Sequence, residues 1–354
     1  MTINRDSGQT HKGRTVYTIP RSIQSKDASD IIFSTHDIPQ PRGVFIHKNA
    51  PLGPNGSATV PVFSVMACCE LYGGRKDWKL PGPSVDLVNA SWMAQSAELR
   101  GLWNLQKTTI LSDVVLPWEA AQPAAMALNA HGFPSGTAFL IALNNAVQSV
   151  LSYPPGVALL FLFFAGHGVS IPDEDGDEVD GYDEALFMSD HVAITDDALR
   201  GTLSRLRSED RCLAIMDCCH SASILDLKHT LKAGDDKPTQ EKTDINANVL
   251  CVSGCSDSDQ SFNGKFRNLV SGALTTSILE LAGYGRNQEP TGDPEKDQVK
   301  GIKSNKEIGS SGVSFLNTLQ SKIKTLGSTQ VPHLSCSNKF LKSMMSQPTE
   351  MWGL

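Results

Sequence analysis

Two stretches constrain this chain more than any others. Val157-Ala-Leu-Leu-Phe-Leu-Phe-Phe-Ala-Gly-His167-Gly168 is a continuous apolar run that stops at a histidine between two glycines. Cys212-Leu-Ala-Ile-Met-Asp217-Cys218-Cys219-His220-Ser221 is shorter and stops at a double cysteine. Short apolar runs bounded by turn residues suit strands of a sheet covered on both faces. Open parallel sheets carry their ligands at the carboxyl ends of the strands. If the two strands are parallel neighbours, a histidine and a cysteine meet at that edge. Neighbouring strand residues face opposite sides, so Cys218 suits a buried, inert thiol and Cys219 a reactive one. A Cys–His pair is the minimal equipment for thiolate catalysis, because the thiolate and not the thiol attacks.

Around these runs, strand and helix patterns alternate. Strands are expected at Thr59–Cys69, Lys107–Ser112, Val157–Ala165, Cys212–Asp217 and Val249–Ser253, with an edge strand at His333–Cys336. Helical spacing covers Ser84–Leu102, the stretch from Pro134 to Leu151, Asp196–Arg207, Ala273–Ala282 and Val313–Leu326. This alternation predicts an α/β sandwich with a mostly parallel six-stranded sheet flanked by helices. Residues 1–58, rich in Ser, Pro and Gly, read as an extended arm, either a disordered tail or a segment packed near the site, with a short strand at Gly43–Ile46. Residues 59–227 read as a large catalytic portion, 228–248 as a polar linker, and 249–354 as a smaller portion completing the same domain. A Gly/Lys/Glu/Asp-rich insert lies near 284–312.

Composition narrows the function. A formal net charge of -7 argues against a nucleic-acid surface, which needs clustered basic residues. The eight cysteines include no Cys-x-x-Cys, so neither a zinc site nor a disulfide framework is indicated. The start of the chain lacks the apolar core of a signal peptide, and no apolar run reaches membrane-span length. A soluble cytoplasmic protein is the expectation. A nucleotide-binding α/β domain is disfavoured because no Gly-rich phosphate loop follows the first strand.

Ala165-Gly166-His167-Gly168 followed by Asp217-Cys218-Cys219-His220-Ser221 resembles the metacaspases, caspase-like cysteine peptidases. The spacing of 52 positions between His167 and Cys219 matches the roughly 50 of the caspase pair. The resemblance implies a caspase-like sandwich, with Cys219 as nucleophile and His167 as base; His220 is the competing base. It further implies an oxyanion hole from the backbone N–H groups of Gly168 and Cys219. Leu80-Pro-Gly-Pro-Ser-Val-Asp86 resembles the family's Leu-x-Gly-x-x-x-Asp. By the same resemblance, Asp86 and Asp217 line a pocket for Arg or Lys at P1, with Ala165 where the family usually has Ser.

Asp173-Glu-Asp-Gly-Asp-Glu-Val-Asp-Gly-Tyr-Asp183 fails as an EF-hand, since Glu178 stands where position six needs glycine. The resemblance instead implies a Ca2+ site on Asp183, Asp196, Asp197 and Asp226. A second departure is Ala222, where the family has Gly; a positive φ there would strain the backbone. The expectation is a calcium-activated monomeric cysteine endopeptidase cleaving protein or peptide substrates after Arg or Lys. Lys228, Lys232, Lys237 and Lys242 are candidate self-processing sites. The alternative is a catalytically weak scaffold of the same fold that responds to calcium.

Overall fold

The structure, a computed structural model, describes residues 9–11, 14–16, 59–99, 101–114, 129–173, 176, 181–219, 221–240, 245–254, 263–266, 269–281, 311–338 and 341. The strand expected at Gly43–Ile46, nearly all of the 284–312 insert, His220 and Lys242 lie outside them.

The chain begins with a small antiparallel hairpin, β1 (Gln9–His11) and β2 (Arg14–Val16). Next come β3 (Val60–Cys68), helix α1 (Pro83–Leu99), β4 (Trp103–Ser112), β5 (Asn129–Gly132) and helix α2 (Gly136–Leu151). β6 (Leu159–Ala165) is followed at once by a three-stranded ribbon of β7 (His167–Pro172), β8 (Tyr182–Phe187) and β9 (Ala193–Thr195). Helix α3 (Asp196–Leu203) leads into β10 (Arg211–Asp217). The remainder comprises β11 (His229–Lys232), β12 (Thr239–Gln240), β13 (Asn248–Ser253), the hairpin β14 (Asn263–Phe266) and β15 (Leu269–Gly272), α4 (Ala273–Leu281), α5 (Gly312–Thr325) and β16 (His333–Cys336).

The central sheet has nine strands among the described residues, in the order β12-β11-β16-β13-β10-β6-β3-β4-β5. The run from β13 to β5 is parallel, and β16, β11 and β12 extend it antiparallel. The sheet is therefore mixed and wider than the six strands expected. β5 lies in an Ala-rich stretch with no clear period. β11 and β12 lie in the segment read as a linker, and Leu231 is the one buried apolar residue these two strands carry.

Alternation along β6 and β10 explains why both runs are apolar throughout. Leu160, Leu162, Phe164, Cys212, Ala214 and Met216 enter the core beneath α2 and α3. Leu159, Phe161, Phe163, Leu213 and Ile215 enter the core beneath α1, α4 and α5. A strand covered on both faces can spare no polar position, whereas its carboxyl end is released from that demand. α2 starts where Ser135 caps it, its side chain accepting from Ala138 N–H at 3.1 Å. Thr195 caps α3 the same way at 3.2 Å, and Asp196 and Asp197 occupy the first turn, where the helix dipole favours negative charge.

Candidate active site

β6 and β10 are parallel neighbours, and their last pair in register is Ala165 with Asp217. His167 and Cys219 each lie two residues beyond that pair, so equal strand lengths bring them to one edge. Cys218 is fully buried in the core, and burial pushes its thiol well above the usual range, with Cys219 and Asp217 adding to the shift. Cys219 is half-buried. The pleat thus separates an inert thiol from an accessible one.

His167 opens β7, which leaves the central sheet and pairs with β8, His167 opposite Phe187. The next residue, Gly168, runs directly against Cys219. A Cβ on Gly168 would overlap the Cys219 carbonyl oxygen and sit 2.8 Å from its carbonyl carbon and 3.4 Å from its nitrogen. Only glycine lets the two backbones come this close. The two N–H groups expected to form the oxyanion hole therefore belong to segments in contact.

The imidazole is held from behind. Its Nε2 lies 2.8 Å from the carbonyl oxygen of Trp78, and its backbone N–H donates to the Tyr72 hydroxyl oxygen at 2.6 Å. The Tyr72 ring is 4.8 Å from the imidazole and inclined 37° to it. If the Trp78 carbonyl accepts from Nε2–H, the lone pair of the neutral ring falls on Nδ1. Tyr72 and Trp78 were missed in the sequence; a Tyr-Gly-Gly turn on an otherwise polar loop carries no pattern that singles them out.

Asp217 and Asp86 meet through residues far along the chain. Gly272 N–H donates to both Asp86 oxygens, at 2.9 and 2.8 Å. Thr275 donates to Asp217 Oδ2 from its N–H at 3.0 Å and its hydroxyl at 2.7 Å. A Cβ on Gly272 would stand 2.7 Å from the Asp217 carboxyl carbon, so a side chain there would have to displace that carboxylate. Both acids are buried, at 1% and 5% exposure. Burial first, then the charge of Asp217, pushes the Asp86 carboxyl well above its ordinary range, while the Gly272 N–H opposes this. Glu70 adds a third acid nearby; its carboxylate accepts from the Ser84 hydroxyl at 2.6 Å.

The four candidate calcium residues also converge. Ligand oxygens of Asp183, Asp196 and Asp197 lie within 4.8 Å of one another. Asp226 adds its charge to Asp196 and is paired with Arg200, Nε to Oδ2 at 3.4 Å. Asp196 is held well above the carboxylate range, first by burial and then by Glu184, Asp226, Asp183 and Asp197. One Asp196 oxygen accepts from Asp197 N–H at 3.0 Å; the other is buried with no hydrogen-bond partner among the described residues. An oxygen-only donor set with an orphaned carboxylate oxygen fits a hard cation such as Ca2+.

The loop after Cys219 is tied to this cluster. Ser223 donates to Glu184 at 2.7 Å, Arg200 pairs with Asp226, and Ser335 donates to the Ala222 carbonyl at 2.9 Å. Ala222 is not among the non-glycine residues with positive φ, so the strain considered for it does not arise; Asp226 has φ +52. β2 lies against β7, which places that part of the N-terminal arm beside the strand carrying His167.

Residues 140–228, spanning both β6 and β10, match the family model described as metacaspase, peptidase C14 domain. Over this stretch the chain is similar to the metacaspases. It is 26% identical over 305 residues to metacaspase-2 of Trypanosoma brucei brucei, covering 79% of this chain and 82% of that protein. It is 30% identical over 192 residues to metacaspase-2 of Arabidopsis thaliana, covering 48% and 46%. Caspase-1 from Spodoptera frugiperda is a structural neighbour at 10% identity and TM-score 0.39, covering 78% of this chain and 85% of that one. The chain itself has a mixed central sheet flanked by helices, and the family model it matches is one of peptidases. No helix among the described residues is long and apolar enough to cross a membrane.

Proposed function

We propose that this chain is a metacaspase, a calcium-activated endopeptidase that cleaves after Arg or Lys, with Cys219 as nucleophile and His167 as its proton acceptor. The observation that carries the reading is the contact between Gly168 and Cys219 at the aligned ends of β6 and β10. It brings a thiol, an imidazole on the same short turn and two backbone N–H donors to one edge.

In this mechanism the Cys219 proton passes to His167 Nδ1, while the Trp78 carbonyl holds Nε2 and the ring orientation. The thiolate adds to the scissile carbonyl carbon, and the oxyanion is received by the N–H groups of Gly168 and Cys219. Collapse breaks the C–N bond, and His167 returns its proton to the leaving amine. Water, deprotonated by the same imidazole, then releases the acyl group from sulfur.

Specificity follows from the buried acids. Asp86 and Asp217 are buried and repel each other. A cationic P1 side chain would relieve that repulsion, and an acidic one would worsen it. Calcium, when bound, would add positive charge among Asp183, Asp196, Asp197 and Asp226, beside that of Arg200. Asp226 lies on the loop that follows Cys219, so holding Asp226 also holds that loop against β8 and α3.

The test is hydrolysis of an arginine-ended fluorogenic peptide, with and without millimolar calcium, beside Cys219→Ala. Calcium-dependent release that vanishes in the variant is expected. No release, with calcium still raising the melting temperature, would leave a calcium-responsive scaffold instead.

A further inference from the structure

The imidazole is positioned by Tyr72 and Trp78, which raises the question of what fixes the loop that carries them. That loop leaves β3 at Cys68 and turns sharply, with Tyr72 in the left-handed region at φ +48, a conformation an aromatic residue adopts only under constraint. The constraint comes from Asp113, the residue after β4. Its Oδ1 accepts from Glu70 N–H at 2.8 Å. Its Oδ2 accepts from Leu71 N–H at 2.8 Å, Tyr72 N–H at 2.9 Å and the Ser189 hydroxyl at 2.6 Å.

Three consecutive backbone N–H groups converging on one carboxylate form an anion-binding nest filled by a residue of the chain itself. Because the acceptor is charged, these bonds are among the stronger ones available to a loop. The nest sets the Tyr72 backbone, and Tyr72 touches the imidazole-bearing residue twice, through the 2.6 Å bond to His167 N–H and through its ring face. The Tyr72 carbonyl is also bonded to His191 Nε2 at 3.0 Å, and Ser189 and His191 flank the same turn beyond β8. Asp113 thus joins the ends of β3, β4 and β8 around the histidine.

We infer that Asp113 is a positioning residue for the active-site histidine, acting through Tyr72. This rests on the proposed role of His167. Asp113→Asn keeps the shape but turns an amide NH2 toward at least one backbone N–H, whichever way it rotates. Tyr72→Phe removes only the oxygen that accepts from His167 N–H.

The experiment compares wild type, Asp113→Asn, Tyr72→Phe and the double variant. It measures kcat and KM on the arginine-ended peptide, the rate of Cys219 alkylation by iodoacetamide, and the melting temperature. Misplacement of the imidazole lowers kcat about 10- to 100-fold in each single variant, with KM within about threefold. Alkylation slows in parallel, because a displaced imidazole supports less thiolate. The double variant is no slower than the worse single variant, since both act on one linkage. Wild-type kcat and alkylation rate in folded Asp113→Asn, or defects that multiply in the double variant, would overturn the inference. Wild-type Cys219 alkylating no faster than free cysteine would instead remove the catalytic reading beneath it.

Discussion

Replacing Gly168 by alanine tests the contact on which the proposed site depends. The added Cβ would meet backbone atoms of Cys219, so no side-chain rotation relieves the clash. Its 2.8 Å approach to the Cys219 carbonyl carbon falls short of the 3.4 Å at which ordinary contact begins. β7 or the turn after β10 must therefore give way by at least about half an ångström, and more to free the carbonyl oxygen. Overpacking of this kind costs about 1–3 kcal/mol. For a chain of this size that lowers the melting temperature by about 1–4 °C. Displacement on this scale between nucleophile, base and oxyanion donors lowers kcat about 100-fold. Gly201→Ala is the control: this exposed glycine in α3 has nothing within 4 Å of the new methyl and no positive φ. It should keep full activity and gain about 0.5–1 kcal/mol. Hydrolysis of the arginine-ended peptide and thermal unfolding, measured on both variants, decide the matter. Gly168→Ala with wild-type kcat and melting temperature would refute the argument.

Three further predictions follow from the acids and the hairpin. Burial and Asp217 raise the Asp86 pKa above its unfolded value, so its contribution to stability is full below that value and lost as pH rises through the folded one. Asp86→Asn should then melt higher than wild type at neutral pH, with a flatter pH profile, while kcat/KM on arginine peptides falls about 10- to 100-fold; a lower melting temperature would contradict this. Asp196→Asn should remove the calcium-induced rise in melting temperature, worth about 2.7 kcal/mol in wild type at a hundredfold excess over Kd, and an undiminished rise would place calcium elsewhere. Self-cleavage should occur after Lys237, in the exposed turn between β11 and β12, and not after Lys232, which is paired to β16; peptide mapping of active protein reads the position directly.

The parts of this protein legible in its sequence are those encoded by a local pattern. β6 and β10 announce themselves because burial on both faces leaves no polar residue in either. His167 and Cys219 stand out as the first chemistry-bearing residues past those runs. Asp86 is legible only through the resemblance of Leu80–Asp86 to a metacaspase motif. What escaped notice depends on pairs distant in sequence. Gly272 reaches Asp86 across 186 residues, and Thr275 reaches Asp217 across 58. Asp113 serves backbone N–H groups 41 to 43 residues upstream, which any acidic side chain could do in principle. β7, β8 and β11 are short, and their partners supply the pairing that their own composition does not demand. Arg200, half-buried against Asp226, looked like one more basic residue in the last turn of a helix.

Cys219 is proposed as the nucleophile of a site built for a cationic side chain. Intact-mass and peptide mass spectrometry after incubation with an arginyl chloromethyl ketone, in the presence of calcium, tests it most directly. One adduct per chain is expected, on the peptide containing Cys219, suppressed by excess arginine-ended peptide and absent from Cys219→Ala. An adduct on another cysteine, or equal labelling by an aspartyl analogue, would contradict it.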